Sequence, residues 1–231
     1  MLIMLYALYC LRNMRVLMPH PEIVRHKEKA EEALASLRSA TTSGELRDAW
    51  EDFLGAFART LGRLIKFAME TERTRAWAHR LKNASQKDND VLVYLREARN
   101  SAEHGLEPQF ATKPRTSTLG GFLDFEEGSS GNVHIESCSF EGVAVGLLKA
   151  EVEDGLVKEQ IGDTVLPVGV SAAEITLQPI INEEKRLTVP LPQKLDDIDF
   201  TSQSPEELAS HALAVIASLI DEYDRLTEPG T

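Results

Sequence analysis

Residues 42–69 read TSGELRDAWEDFLGAFARTLGRLIKFAM, and their spacing decides the fold of the first half of the chain. Thr42 and Glu45 stand three apart, the pattern in which a hydroxyl and a carboxylate each satisfy a free amide at a helix start. Behind them Leu46, Trp50, Phe53, Leu54, Phe57, Leu61, Leu64, Ile65 and Ala68 recur at intervals of three and four. That is an apolar stripe along one side of a helix. It predicts a long core helix, reaching residue 70 or beyond, that other helices must cover.

Helical patterns flank it on both sides. Residues 21–38 predict a helix with Pro21 in the first turn and Val24, Ala30, Ala33, Leu34 and Leu37 on one side. Downstream, Ser85 with Asp88 makes a second capping pattern, opening a helix whose apolar stripe is Val91, Leu95, Ala98 and Ala102, supplemented by Leu92. Its polar end is Arg99-Asn100-Ser101-Ala102-Glu103-His104, and Gly105 closes it.

From Gly105 the pattern changes to a Pro-containing linker, Glu107–Ser117, and then to short alternating runs broken by turns such as Gly128-Ser129-Ser130-Gly131. The expected strands are Asn132–Phe140, Gly142–Glu151, Thr164–Val168, Ala173–Ile180 and Lys185–Pro190, the last two forming a hairpin across Ile181–Glu184. A final helix starts at Ser204, with Pro205 in its first position and Glu207 completing another box. It is expected to bury Leu208, Ala212, Val215, Leu219, Tyr223 and Leu226. The reading is an α+β chain: an uncertain segment 1–20, a helical bundle over 21–105, a small antiparallel β-rich acidic region over 106–200, and a C-terminal helix over 201–231.

With 231 residues, 42% of them hydrophobic, the chain has ample material for a core. Cys10 and Cys138 stand far apart with no His or Cys at metal spacing, so neither a disulfide framework nor a metal site is expected, and a reducing cytoplasm fits best. Residues 1–11 are apolar, but Arg12 and Arg15 follow the apolar run rather than precede it, and eleven residues are too few to span a bilayer. A buried first element, or translation from Met14 or Met18, is expected there instead of a membrane anchor. There is no internal repeat, no Gly-rich phosphate loop after a strand, and no Ser-x-x-Lys or Gly-x-Ser-x-Gly nucleophile pattern. No cofactor is expected.

The net charge of −12 argues against a nucleic-acid partner when taken whole. Divided, it reverses: residues 1–105 carry 17 Lys and Arg against 14 Asp and Glu, a net of +3, and residues 106–231 carry 8 against 23, a net of −15. Arg73, Arg75, Arg80, Lys82 and Lys87, with Trp77 and His79 among them, form a cationic stretch that can contact phosphates and stack bases, and Arg96 adds to it. The plainer reading of that stretch is a solvated helix face with one buried Trp.

Arg99 and His104 carry the only chemistry the sequence suggests. Arg15 and His20 share their spacing, but Pro19 prevents a helix from running through that pair. Arg73 and His79 lack an amide residue after the Arg. Taking the stripe as the buried direction, Arg99 lies about 70° from it, Asn100 about 170°, and His104 about 150° on the other side. The three therefore point away from the stripe. Cleavage of RNA by its own ribose 2′-hydroxyl needs a proton acceptor, a proton donor and a fixed positive charge. His104 can do proton work near neutral pH, Arg99 can hold a phosphate with its planar fork, and Asn100 can orient the His or a phosphate oxygen. One His cannot easily be acid and base in a single step, so a symmetric dimer presenting two copies of His104 to one phosphate is expected.

This run resembles the Arg-Asn-x-x-x-His signature of HEPN-domain ribonucleases, with the likeness covering residues 21–105. Arg99, Asn100 and His104 fall on the signature positions, and Ser101, Ala102 and Glu103 on the variable ones. The resemblance implies a small helical bundle that dimerises, sets the Arg and His at the dimer cleft and cuts RNA without metal. It also implies a place in toxin or phage-defence systems, with an antitoxin or other protein partner. The alternative is a non-catalytic HEPN-like dimerisation or RNA-binding adaptor whose acidic β-rich half binds a partner.

Overall fold

The computed structural model describes residues 20–104, 110–135, 138–140, 143–162, 165–182, 187–195 and 198–228. The expectations for residues 1–19, for Cys10 and for the closing Gly105 lie outside these. The chain is α+β, with helices first, small antiparallel sheets in the middle and a helix at the end.

Helix α1 spans Pro21–Ser39 and α2 spans Ser43–Met69. The capping box of α2 forms in both directions. The Glu45 amide donates to Thr42 Oγ1 at 3.2 Å, and the Glu45 carboxylate accepts from the Thr41 and Thr42 amides at 2.8 and 3.1 Å. The α2 stripe is buried except at Leu46 and Ile65, which are half-buried, and Trp50, Phe53 and Phe57 stack in sequence with ring centroids 5.8 and 5.9 Å apart. α2 does not run on past 70. It stops at Met69, where Thr74 Oγ1 donates to the Ala68 carbonyl at 2.6 Å, and a separate helix α3, Glu72–Asn83, begins.

A π-helical turn, Ala84–Asp88, occupies the place where Ser85 and Asp88 were expected to cap a helix. Ser85 donates to the Lys82 carbonyl at 2.8 Å instead. The cap of α4, Asp90–Glu103, is Asn89, whose Oδ1 accepts from the Leu92 amide at 2.9 Å. Asn89 has the extended backbone that an N-cap needs, with φ −129° and ψ 111°.

The strands are shorter and more numerous than the alternation suggested. The expected linker holds β1 (Phe110–Lys113) and the start of β2 (Thr116–Leu119), and β3 (Leu123–Glu126) follows. Next come β4 (Gly131–Ile135), β5 (Cys138–Phe140), β6 (Val143–Val145), β7 (Leu148–Glu153) and β8 (Leu156–Gly162), so the strand expected over Gly142–Glu151 is broken between β6 and β7, while that over Asn132–Phe140 includes residues 136–137, which lie outside the described residues. The strand expected over Thr164–Val168 is displaced to β9, Val168–Ser171. Pro179, which has no amide for a ladder, divides the expected Ala173–Ile180 strand into β10 (Glu174–Leu177) and β11 (Ile180–Asn182). The late hairpin exists, pairing β11 with β12 (Leu187–Val189) so that Ile180 faces Val189. Strands β13 (Lys194–Leu195) and β14 (Ile198–Asp199) lead to α5, Pro205–Thr227.

The described residues of 36–49 and 110–176 form one compact unit, and those of 1–35, 50–109 and 177–231 form another. The first is β-rich. Its sheets β3-β2-β9 and β4-β7-β8 enclose Leu119, Leu148, Ala150 and Leu166, with Phe125, Val133 and Val157 packed against them. Two carboxylates pin its turns. Burial opposes ionisation of Glu127, but the Ser43 amide and hydroxyl at 2.9 Å and the Arg115 amide at 3.3 Å outweigh that, holding its carboxyl below the ordinary 4.5. Asp154 is held below 3.8, first by the Gly128 amide at 2.8 Å and then by Arg115 Nη2 at 2.6 Å. Carboxyls with depressed folded pKa values stabilise above their unfolded pKa and lose that contribution as pH falls through the folded one. Amide protection factors in β2, β3 and β7 are therefore expected to stay constant down to about pH 5 and to fall progressively below about pH 4. Constant opening free energies down to pH 3 would show that neither carboxylate matters.

The other unit is helical. The buried line of α5 is Leu208, Ala209, Ala212, Ile216 and Ile220, while Val215, Leu219, Tyr223 and Leu226 are only half-buried, one position around from the expected stripe. Ser204 Oγ accepts from the Glu207 amide at 3.4 Å as expected, but the return bond is absent because the Glu207 carboxylate pairs with the Ser202 hydroxyl. α5, β11 and β12 all pack on α4. That cover widens the buried face of α4 to Val91, Leu92, Tyr94, Leu95, Glu97, Ala98 and Ser101, leaving Ala102 half-buried. Tyr94 is fully buried, and its hydroxyl donates to the Gln178 carbonyl at 2.9 Å. Tyr94→Phe leaves that carbonyl without this partner and should cost about 1 kcal/mol in urea unfolding. An unchanged midpoint would mean the bond contributes nothing net.

Candidate functional site

The polar end of α4 is built by its caps. Asn89 fixes where the helix starts, and so which residues arrive at the end, while the His104 amide closes it by donating to the Asn100 carbonyl at 3.1 Å. Arg99 and Asn100 are half-buried, and His104 is exposed. At about 100° per residue, Arg99 and His104 stand about 140° apart around the helix. A single α4 therefore places Asn100 about 40° from His104 but does not bring His104 to Arg99.

The immediate partners of these residues are carboxylates. Glu97 is buried at 7% exposure, an unusual place for a Glu unless it is paired. It accepts from Arg96 Nε at 2.8 Å and Nη2 at 2.6 Å, and from Asn100 Nδ2 at 3.5 Å. Arg99 makes an ion pair with Glu103, one turn along α4. Its Nε is shielded from solvent and has no hydrogen-bond partner among the described residues. Arg99 stands between two grooves. One, of about 320 Å³, is walled by Phe57, Leu61, Ile65, Leu92 and Leu95 and also lined by Arg96, Arg99 and Asn100. The other, of about 300 Å³, is polar, with Glu51, Asp52, Arg59 and Glu103 beside Arg99. His104 lines neither.

The cations of α3 have local roles. Arg73 Nη1 donates to the Glu228 carbonyl at the end of α5, and Arg75 Nε to the Met69 carbonyl at 3.4 Å. Arg80 and Lys82 are exposed in the last turn, where they complement the helix dipole. Trp77 is buried, tilted against Tyr223 with ring centroids 6.1 Å apart, so it offers no ring to a base.

A second cationic neighbourhood escapes any linear window. His26 on α1 is held below its ordinary pKa by burial and then by Arg59, Arg25, Arg63 and Lys29. Those four charges come from two helices about thirty residues apart in sequence, which is why no run of basic residues announces them. Arg63 is partly offset by Glu22, 3.1 Å away. Among the described residues no group of three or more His, Cys, Asp or Glu side chains gathers to hold a metal, and no helix is long and apolar enough to cross a membrane. The chain matches no known family model and is significantly similar to no curated protein and no solved structure.

Proposed function

We propose that the helical unit acts on RNA as a HEPN-like, metal-independent endoribonuclease, with Arg99 holding the scissile phosphate, His104 transferring protons and Asn100 orienting the His or a phosphate oxygen. The observation that carries this reading is the state of Arg99: half-exposed, with one shielded donor unused, next to Asn100 at the end of a helix whose last residue position presents an exposed His. Because Arg99 and His104 diverge around α4, the reading requires two copies of the chain, each giving a His to the other's Arg. Toxin or defence systems in the cytoplasm fit such an activity, with a protein partner to restrain it.

One observation favours a second reading. Arg96 and Asn100 are bound to the buried Glu97 and Arg99 to Glu103, so the polar face is largely satisfied without substrate. On that reading the unit is a dimerisation or RNA-binding module, and the acidic β-rich unit engages a partner.

One experiment separates them. The protein is incubated in EDTA with tRNA and with a structured RNA, alongside Arg99→Ala and His104→Ala, and its mass is followed by sedimentation. Cleavage leaving 2′,3′-cyclic phosphate ends, lost in both variants, supports the nuclease. Activity that survives His104→Ala sinks the assigned mechanism, and a stable dimer that cuts nothing favours the binding module.

A further inference from the structure

The larger groove beside Arg99 has a chemistry that RNA cleavage does not use. Its floor is apolar: Phe57, Leu61, Leu92 and Leu95 are each no more than 8% exposed, and Ile65 is half-buried. Two cations, Arg96 and Arg99, line it, and among the described residues no carboxylate does, because Glu97 and Glu103 approach their arginines from outside it. A buried donor with no acceptor calls for an explanation, and Arg99 Nε is one. Gly62 faces the same space, and a Cβ placed there meets no atom within 4 Å. The volume, about 320 Å³, is at the small end of ligand sites.

We propose that this groove binds a small amphiphilic anion, an apolar chain or ring carrying one carboxylate or phosphate head. The apolar part covers Phe57, Leu61 and Leu92, and the head accepts from Arg99 and Arg96. A neutral apolar occupant is disfavoured, since it would leave the shielded Arg99 Nε without an acceptor, which an anionic head can supply. This goes beyond the ribonuclease reading and does not rest on it.

The test is calorimetric titration of the full chain, without RNA, using decanoate, decyl phosphate, decanol and octanoate. Either ten-carbon anion is expected to bind, with its preference identifying the head. Decanol is expected to bind about tenfold more weakly, for want of charge-assisted hydrogen bonds. Octanoate should also be about tenfold weaker, for two fewer buried methylenes. Gly62→Leu fills the groove from open space and improves helix propensity, so it should fold at least as well while abolishing binding. Arg99→Gln should weaken decanoate about tenfold and leave decanol unchanged. Equal binding of decanoate and decanol, or decanoate binding that survives Gly62→Leu, overturns the proposal. So does a decanoate-insensitive dimer that Gly62→Leu dissociates in sedimentation, because the occupant would then be a second copy of the chain.

Discussion

Gly155→Ala is expected to destabilise the β-rich unit by about 3 kcal/mol, a strain of about 1–2 kcal/mol from the backbone and the rest from a clash. Gly155 has φ +71°, a conformation that a Cβ resists, and a Cβ there would sit 2.4 Å from the Glu126 carbonyl oxygen and 2.7 Å from the Glu127 nitrogen. Those atoms cannot retreat, because the turn is bonded on every side. The Gly155 amide donates to the Ser129 carbonyl at 2.7 Å, Ser117 Oγ to the Gly155 carbonyl at 2.6 Å, and Arg115 Nη2 to the Asp154 carbonyl at 2.8 Å. Gly128 supplies the control. Its φ is +87°, but a Cβ there meets nothing within 4 Å, so Gly128→Ala should cost only the backbone strain. For a unit of this size the difference between the two variants is about 10 °C in melting temperature. If both melt together, the close approach of the two turns is not what holds them.

What was legible in the sequence follows the length over which a pattern repeats. The α2 stripe spans more than twenty residues, and Thr42 with Glu45 fixes its start, so spacing alone was sufficient. Ser85 with Asp88 misplaced the start of α4, because the cap is Asn89 and Ser85 lies in a local π turn that no periodicity encodes. α3 follows α2 across a break at Glu70–Thr71 with neither Gly nor Pro to mark it. The strands are two to seven residues long, too short for alternation to set their ends, and the expected Ala173–Ile180 strand ran through Pro179, whose missing amide interrupts it. At the candidate site, Arg99, Asn100 and His104 could be singled out because they fall within one six-residue run. Glu97 could not: a Glu read from sequence is placed at the surface, whereas this one is buried with its carboxylate held by Arg96 and Asn100. The cluster of Arg25, Lys29, Arg59 and Arg63 around His26 was hidden for the complementary reason, being an outcome of helix packing rather than of neighbouring positions.

On the ribonuclease reading, His104→Ala is expected to lower the cleavage rate about 10²–10⁴-fold, the usual worth of positioned proton transfer. Arg99→Ala should cost about 10²–10³-fold, as for loss of a group that stabilises developing charge. Arg99→Lys separates charge from shape: it keeps the cation and loses the planar fork, so it should recover only part of the rate. His104 is exposed and its side chain supports no packing, so its replacement should leave the melting temperature within about 0.5 kcal/mol of the parent and isolate the chemistry. Since the two groups lie about 140° apart on α4, they can act on one phosphate only from different copies of the chain. Mixing Arg99→Ala with His104→Ala protein should then restore part of the activity, because a mixed dimer carries one site that pairs the remaining Arg99 of one copy with the remaining His104 of the other, short of the second His104 that the parent dimer presents to the phosphate. Two inactive variants that stay inactive when mixed, although sedimentation shows that they exchange subunits, would remove the shared site and with it the reason for placing the catalysis at the end of α4.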